Sequence, residues 1–409
     1  MRFDADILII GGGLVGSTLG LTLARSGFEV TMIDALPKAT RRKKGFDGRS
    51  YAMALATTRL FQAIGLWDVL QPEAQPINEI KVSDGRPGQP PSPFFLHFDH
   101  AEIGPEPMGY MVEDRHARVA LLDAEKEATA FTHMPEETVV SQTVVPGGVE
   151  VTLASGKTLS ATLLIGCDGR RSGVAERAGI KRIGWDYHQT SLVCAIAHEK
   201  PHSGIAHQLF LPPGPLAILP LTQNRVGVVW TEETSRAAEV QNMDDAGYLD
   251  VLRPRFGDFL GDIALAGDRF TYPLNLTLAE RFIDDRVALV GDAAHGIHPI
   301  AGQGLNSGIR DVAALAEVLV DARGRGEDIG TAPVLRRYQQ WRRFDTATLA
   351  LATDTFNKLF SNDNTALRTV RDLGMGAVNA VPGLRKSFMR EASGQSGDLP
   401  KLMQGLSLS

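Results

Sequence analysis

Residues 5–35, ADILIIGGGLVGSTLGLTLARSGFEVTMIDA, constrain the fold more than any other stretch of this chain. Ile7–Ile10 is a short apolar run of the kind buried on both faces of a parallel sheet. Gly11, Gly13 and Gly16 then spell G-x-G-x-x-G, and Gly20 continues the small residues along the helix face that meets the sheet. In such a turn the first glycine permits the tight bend, the second leaves room for a pyrophosphate, and the third allows close helix–strand packing. Leu14 and Val15 open the helix, so Gly11, Gly13, Leu14, Val15 and Gly16 are candidate cofactor-binding residues. The second strand, 29–33, runs into Asp34, placed 23 residues after Gly11 to accept hydrogen bonds from an adenosine ribose. Three glycines alone are weak evidence. A strand, turn, helix, strand and acid in one run predict a Rossmann-like unit with a dinucleotide site.

A second stretch, RVALVGDAAHGIHPIAGQGLNSGIRDV (286–312), repeats the logic. Val287–Val290 reads as a buried strand ending at Gly291-Asp292. A loop with proline follows, and from about Leu305 the apolar residues fall at helical spacing. Asp292 can accept from a sugar hydroxyl. Gly302 and Gly304 let backbone approach a flat ring. The amides near Leu305 and Asn306 stand at a helix N-terminus, where negative charge is stabilised, and a reduced flavin carries its negative charge on the pyrimidine side. The stretch therefore suits the sugar-alcohol chain and ring of FAD. His295 and His298 read equally well as packed or loop histidines, so no catalytic base is assigned.

Further along, Leu163–Ile165 leads into Cys167-Asp168-Gly169-Arg170-Arg171, another acid-glycine loop after an apolar strand. Arg49 precedes a segment read as helical from Ser50 onward, and Arg115 starts a helix over 113–128. Residues 71–109 are dense in Pro and Gly and read as short strands and turns. Residues 137–166 alternate like a meander, and 185–275 read as a β-rich insertion. A long helix with mixed faces is expected over 335–360, with short helical pieces in 373–409. The expected division is a discontinuous FAD-binding domain (1–75, 107–184 and 276–335), a substrate domain (76–106 and 185–275) and a C-terminal helical region (336–409). The fold class is α/β.

Composition narrows the class. At 409 residues, 43% hydrophobic and 22% charged, this is a two-domain globular composition. A net charge of −6 gives no nucleic-acid footprint. The basic run Arg41-Arg42-Lys43-Lys44 reads as a solvated loop, with docking on anionic lipid as the lesser reading. Two cysteines, Cys167 and Cys194, suggest neither a metal site nor a disulfide framework, and point to a reducing compartment. Asp4 and Asp6 stand where a signal peptide needs positive charge, and no apolar run has the length of a membrane span.

Taken together, the three motifs resemble the FAD-dependent aromatic-ring hydroxylases of the p-hydroxybenzoate hydroxylase type. GDAAHGIHPIAGQGLNSGIRDVAALAEVL, FLPPGPLAILPL followed by VVWTEE, YPLNLTLAERFIDDR and the terminal GDLP look like the branch that hydroxylates ubiquinone precursors. The resemblance implies a Rossmann-like FAD-binding domain with a β-sheet substrate domain inserted and C-terminal helices. It implies that Gly11, Gly13 and Gly16 face the pyrophosphate, Asp34 the ribose, Arg49 the phosphates and Arg115 the flavin sugar chain. Asp168-Gly169 matches a motif associated with FAD and the nicotinamide donor. Asp292, following Gly291, would hold the ribityl side, Pro299 would pack by the flavin, and the Leu305 and Asn306 amides would face the ring carbonyl. Asp34 replaces the more usual Glu. The implied reaction is hydroxylation of a polyprenylated phenol by molecular oxygen through a flavin hydroperoxide, with NAD(P)H as donor. Partners implied are a ubiquinone-biosynthesis complex, peripheral contact at the inner face of a membrane from a cytoplasmic location, and an oligomer. The alternatives are a flavin hydroxylase of a soluble aromatic, a flavin reductase of the same fold, and a non-catalytic FAD-bound subunit.

Overall fold

The computed structural model describes residues 3–43, 45–89, 92–297, 302–361 and 365–408. Three sheets organise the chain. In the first, parallel neighbours run in the order Val287–Leu289, Thr158–Gly166, Ala5–Ile10, Val30–Asp34 and Phe131–Pro135. Ile7, Leu8 and Ile9 are fully buried, as are Leu163, Leu164 and Ile165 beside them, which is why these strands read as continuous apolar runs. The meander over 139–166 appears as the antiparallel strands Val139–Val145 and Gly148–Leu153 feeding Thr158–Gly166. Helix Leu14–Arg25 packs on one face of the sheet, and helix Gln303–Gly324 crosses it.

Where sequence periodicity placed a helix from Ser50 onward, the structure has a strand, Ser50–Ala54, and helix only at Leu55–Ala63. SYAMA is too short and too weakly periodic to declare itself. Pairing with Gly109–Glu113, whose other neighbour is Ala74–Ile77, decides the matter. Helices Asp114–Glu127 and Ala332–Phe360 lie where the sequence placed them, followed by Thr365–Ala380 and Pro382–Ala392; the β-rich insertion also carries the helix Asp245–Phe256.

The third sheet is the largest. Its path begins at His295–Gly296, passes through Phe270–Ala279, Arg182–His198, Arg225–Glu233, Gly214–Leu221 and Ile205–Leu211, and ends at Glu79–Asp84 and Leu96–Asp99. One face buries Leu192, Cys194, Ile196, Val228 and Trp230 under helix Asp245–Phe256. The other face looks toward strand Ser50–Ala54 and the C-terminal helices, with Ala195, Ala206 and Leu221 packed against Met108, Met111 and Met389.

Candidate functional site

Four parallel strands of the first sheet end at a common edge. Ile10 sits level with Ile33 on one side and Gly166 on the other, and Gly166 sits level with Leu289. The glycine turn 11–16, Asp34, Asp168-Gly169 and Gly291-Asp292 therefore emerge together, at the carboxyl ends where open α/β sheets bind ligands.

The glycines divide by what surrounds them. Gly11 has φ +101, and a Cβ there would overlap the Cys167 carbonyl, so this residue closes the turn against the neighbouring loop. A Cβ on Gly16 would overlap the Gly11 carbonyl. Gly13 is different: a Cβ there meets no protein atom within 4 Å. Its freedom is toward open space, where a cofactor would lie. Gly13 is also the N-cap of helix Leu14–Arg25, with no side-chain cap and no acid in the first turn, so the first amides of the helix offer hydrogen bonds outward.

Helix Gln303–Gly324 begins in the same manner. Its N-cap Gly302 has φ +65, lacks a side-chain cap, and a Cβ there would come 3.0 Å from Ala52 Cβ. The two helix starts are drawn together around Val15: a Cβ on Gly291 (φ +62) would stand 3.3 Å from Val15 Cγ1, and one on Gly308 3.0 Å from Val15 Cγ2. Gly304 faces open space. The Asn306 side chain is buried and structural. Its oxygen accepts from the Ala54 amide at 2.9 Å and from Thr57 Oγ1 at 2.8 Å, while its amide donates to the Ala52 carbonyl at 2.9 Å. It thereby ties strand Ser50–Ala54 to the helix start and leaves the helix-start backbone for a ligand. Leu305 packs partly buried beside the core. Pro299 and His298 lie outside the described residues.

The acids have partners of their own. Asp34 is buried, with Arg41 Nε 2.5 Å from Oδ2 and the Leu36 amide donating to Oδ1 at 3.3 Å. Burial alone would raise its pKa, but His133 and Arg41 outweigh that and hold it below the usual carboxylate range. Arg41 thus corrects the reading of the basic run as a solvated loop: it is 8% exposed and turned inward by Asp34, while Arg42 stays outside on Asp123 at 2.8 Å. Asp168 Oδ2 accepts from the Val174 amide at 3.0 Å, while its Oδ1 is buried with no hydrogen-bond partner in the protein. Asp292 pairs with Arg170 Nε at 3.0 Å, and Arg170 NH1 reaches Asn275 Oδ1 at 3.1 Å, linking the flavin-type loop to the large sheet.

Arg49 pairs with Asp47 at 2.7 Å and Asp114 at 3.3 Å, and sits 5.5 Å from the Phe270 ring centroid. Its guanidinium is pushed up by Asp47, against burial. Arg115 is drawn to Glu113 at 2.7 Å and lies over Phe46, a step away from Arg49. Arg118, which the sequence reading did not single out, joins these groups to the first sheet: it donates to Asp114 at 2.7 Å and to the Arg41 carbonyl at 2.9 Å.

A second missed group is a buried triad beneath the Gly291–Ile297 loop. Asp311 accepts from the Gly291 amide at 2.9 Å, from His295 Nε2 at 2.6 Å and from Arg342 Nε at 2.7 Å. All three side chains are almost fully buried. The signal was present: Asp311 stands at helical spacing with Leu315, Val318 and Ala322, an acid inside an apolar stripe, which implies a buried partner.

Comparison with known proteins agrees with this geometry. A family model described as an FAD binding domain matches residues 4–343. The ubiquinone hydroxylase UbiL of Rhodospirillum rubrum is 44% identical over 99% of this chain and 94% of its own. The 3-demethoxyubiquinol 3-hydroxylase of Escherichia coli is 35% identical over 95% of this chain and 98% of its own. Among solved structures, p-nitrophenol 4-monooxygenase PnpA from Pseudomonas putida superposes with a TM-score of 0.80 at 18% identity, covering 98% of this chain and all of that one, a likeness of fold. Sequence, sheet-edge geometry and full-length similarity converge: the chain belongs to the FAD-binding-domain family, in the branch of the ubiquinone hydroxylases.

Proposed function

We propose that this protein is an FAD-dependent monooxygenase that hydroxylates the aromatic ring of a polyprenylated phenol in ubiquinone biosynthesis. The observation that carries the reading is the assembly of a glycine turn, Asp34, two acid-glycine loops and two uncapped helix starts at one sheet edge, in a chain similar over its whole length to named ubiquinone hydroxylases. The residues present fit the cofactor. Gly13 leaves open the space that a side chain would fill, and Asp168 keeps a buried carboxylate oxygen without a protein donor.

On this reading the amides at the start of helix Leu14–Arg25 hold the pyrophosphate, Arg49 adds charge to the phosphates, and Asp34 takes the adenosine ribose. Asp292, steadied by Arg170, holds the flavin sugar chain, and Arg115 assists it. Gly302, Gly304 and the Leu305 and Asn306 amides let the ring lie against backbone and stabilise charge on its pyrimidine side. Bound FAD, reduced by NAD(P)H, supplies the oxygen-activating chemistry, which belongs to the cofactor. The protein binds the phenol against the large sheet and keeps water away. The flavin domain then comprises 1–75, 107–184 and 276–335, the substrate domain 76–106 and 185–275, with 336–409 as C-terminal helices.

Among the described residues no helix is long and apolar enough to cross a membrane. The C-terminal helices nevertheless expose Leu373, Val381, Leu384 and Phe388, which supports peripheral contact with a membrane or a biosynthetic complex. The protein should show a flavin spectrum and consume oxygen with NAD(P)H only when a prenylphenol is added, yielding a hydroxylated ring. Absence of flavin after reconstitution, or oxygen uptake without a hydroxylated product, would overturn the assignment.

A further inference from the structure

Strand register carries the reading of the substrate further. Residues level with one another on paired strands project to the same face of a sheet. Across the large sheet, Phe270 is level with Val193, Val193 with Val229, and Val229 with Ala217. Ala217 is in turn level with Gln208, Gln208 with Val82, and Val82 with Leu96. These seven residues form one transverse row, six of them apolar and none charged. Every one is half-buried.

The rows on either side are mostly buried, with Leu219 and Ile80 half-buried in one and Tyr272, 44% exposed, at the Phe270 end of the other. On one side Ala195, Gly227, Ala206 and Phe98 are buried, packed in part against Met108, Met111 and Met389. On the other, Ser191, Thr231, Pro215 and Phe210 are buried, and Phe210 lies 4.1 Å, centroid to centroid, from Phe360 of the long helix. A half-buried apolar line between two more deeply buried rows is a shallow trough, covered at its far end, where Val82 and Leu96 pack against Phe360 and Met375. At about 4.8 Å per strand, its six steps span roughly 29 Å.

Its two ends decide what it holds. At one end stands Phe270, 5.5 Å from the Arg49 guanidinium; farther along the same strand, Thr277 and Leu278 pair with His295–Gly296. At the other, beyond Leu96, Phe94 and Phe95 are 49% and 40% exposed; Phe94 approaches Gly376 of helix Thr365–Ala380, which also carries Leu373, 59% exposed. We propose that this row is the floor of a channel that holds the polyprenyl tail of the substrate, with the ring at the Phe270 end and the tail leaving past Phe94, Phe95 and Leu373. The inference rests on the proposed function and adds to it: it assigns tail length as what the row selects.

The test uses the FAD-loaded enzyme and two phenols with the same ring, one bearing a single isoprene unit and one a long polyprenyl tail, scored as kcat/KM for ring hydroxylation. Two variants are compared with wild type: Ala217→Phe, which fills the middle of the row, and Gln208→Lys, which places a charge in it at a position already polar. Flavin absorbance verifies that each is folded. Wild type is expected to prefer the long tail, and both variants to reduce that preference by at least about tenfold, the loss of roughly two methylene burials. A long-to-short preference that is the same in both variants as in wild type overturns the channel while leaving the function standing. Wild type that hydroxylates neither phenol overturns the function, and the channel with it.

Discussion

Replacing Asp311 by alanine tests whether the flavin-side loop is held from beneath. The substitution strips Arg342, 2% exposed, of its buried carboxylate at 2.7 Å, and leaves the Gly291 amide and His295 Nε2 without their acceptor. Breaking a buried pair from one side costs about 3–5 kcal/mol, because the surviving charge stays buried. Arg342 retains Asp345 at 2.9 Å, with that side chain 32% exposed, which favours the lower figure. Unfolding entropy scales to about 0.9 kcal/mol/K for a chain of this length, so the midpoint should fall by about 3 to 6 °C. The readout is thermal release of flavin fluorescence together with circular dichroism. Asp311→Asn should fall between alanine and wild type, since it can still accept from one donor. The pH dependence has a definite sign. Burial pushes the Asp311 pKa up, but His295 and Arg342 outweigh it and hold it below the usual range. A depressed carboxylate contributes stability above its unfolded pKa of about 3.9 and loses it as pH falls through the lower folded value. The difference between wild type and Asp311→Ala should therefore be full at neutral pH and shrink only in strong acid. A midpoint shift below about 1 °C at pH 7 would refute the reasoning.

Three further outcomes follow from the geometry. Gly13→Ala should weaken FAD binding by at least about tenfold, roughly 1.4 kcal/mol, while the apo protein keeps its melting point, because the added Cβ meets no protein atom; Gly11→Ala should lower the apo melting point itself, and equal behaviour of the pair would refute the distinction. Arg371→Ala breaks a pair in which Nε and NH2 both donate to Asp84 Oδ2, at 2.9 and 2.6 Å, both side chains nearly fully buried, and should cost about 3–5 kcal/mol in urea unfolding; Arg371→Met combined with Asp84→Leu should recover most of the loss. Burial, helped by Lys81, pushes the His207 pKa down to about 4. A histidine so depressed contributes stability above its unfolded pKa near 6.5 and loses it as pH falls from there toward 4. Between pH 7 and 4.5 wild type should therefore lose up to about 3 kcal/mol more than His207→Gln, and parallel melting curves for the two would count against it.

The sequence displayed the nucleotide edge because its signals are local. A run such as ILIIGGGLVG carries strand, turn and helix start within one stretch, and 163–169 and 287–292 each carry a strand end and its acid-glycine turn. Ser50–Ala54 was misread because five residues carry no usable period and only pairing with Gly109–Glu113 makes them a strand. Arg41 and Arg118 were hidden although Asp34 and Asp114 lie only seven and four residues before them, because it is the tertiary fold that turns them inward: Arg118 also donates to the carbonyl of Arg41, far away in sequence. The mixed faces of the 335–360 segment were visible but unexplained, and the structure supplies the cause. The N-terminal half of helix Ala332–Phe360 serves the nucleotide sheet: Tyr338 donates to the Leu289 carbonyl at 2.8 Å, and Arg342 holds Asp311. The C-terminal half serves the large sheet. Asp354 accepts from Trp185 at 3.2 Å and Tyr187 at 3.0 Å, and Asn357 donates to Gln189 at 2.9 Å. A helix that must present polar anchors to two different sheets cannot keep one apolar stripe, so its pattern drifts. That drift has a functional consequence. One rigid helix, about 43 Å long, joins the Asp311 anchor under the flavin-side loop to the Phe360 wall of the apolar row. The spacing between the Gly291–Ile297 loop and the Val82–Leu96 end of the apolar row is therefore set by a single element rather than by the loops that flank it.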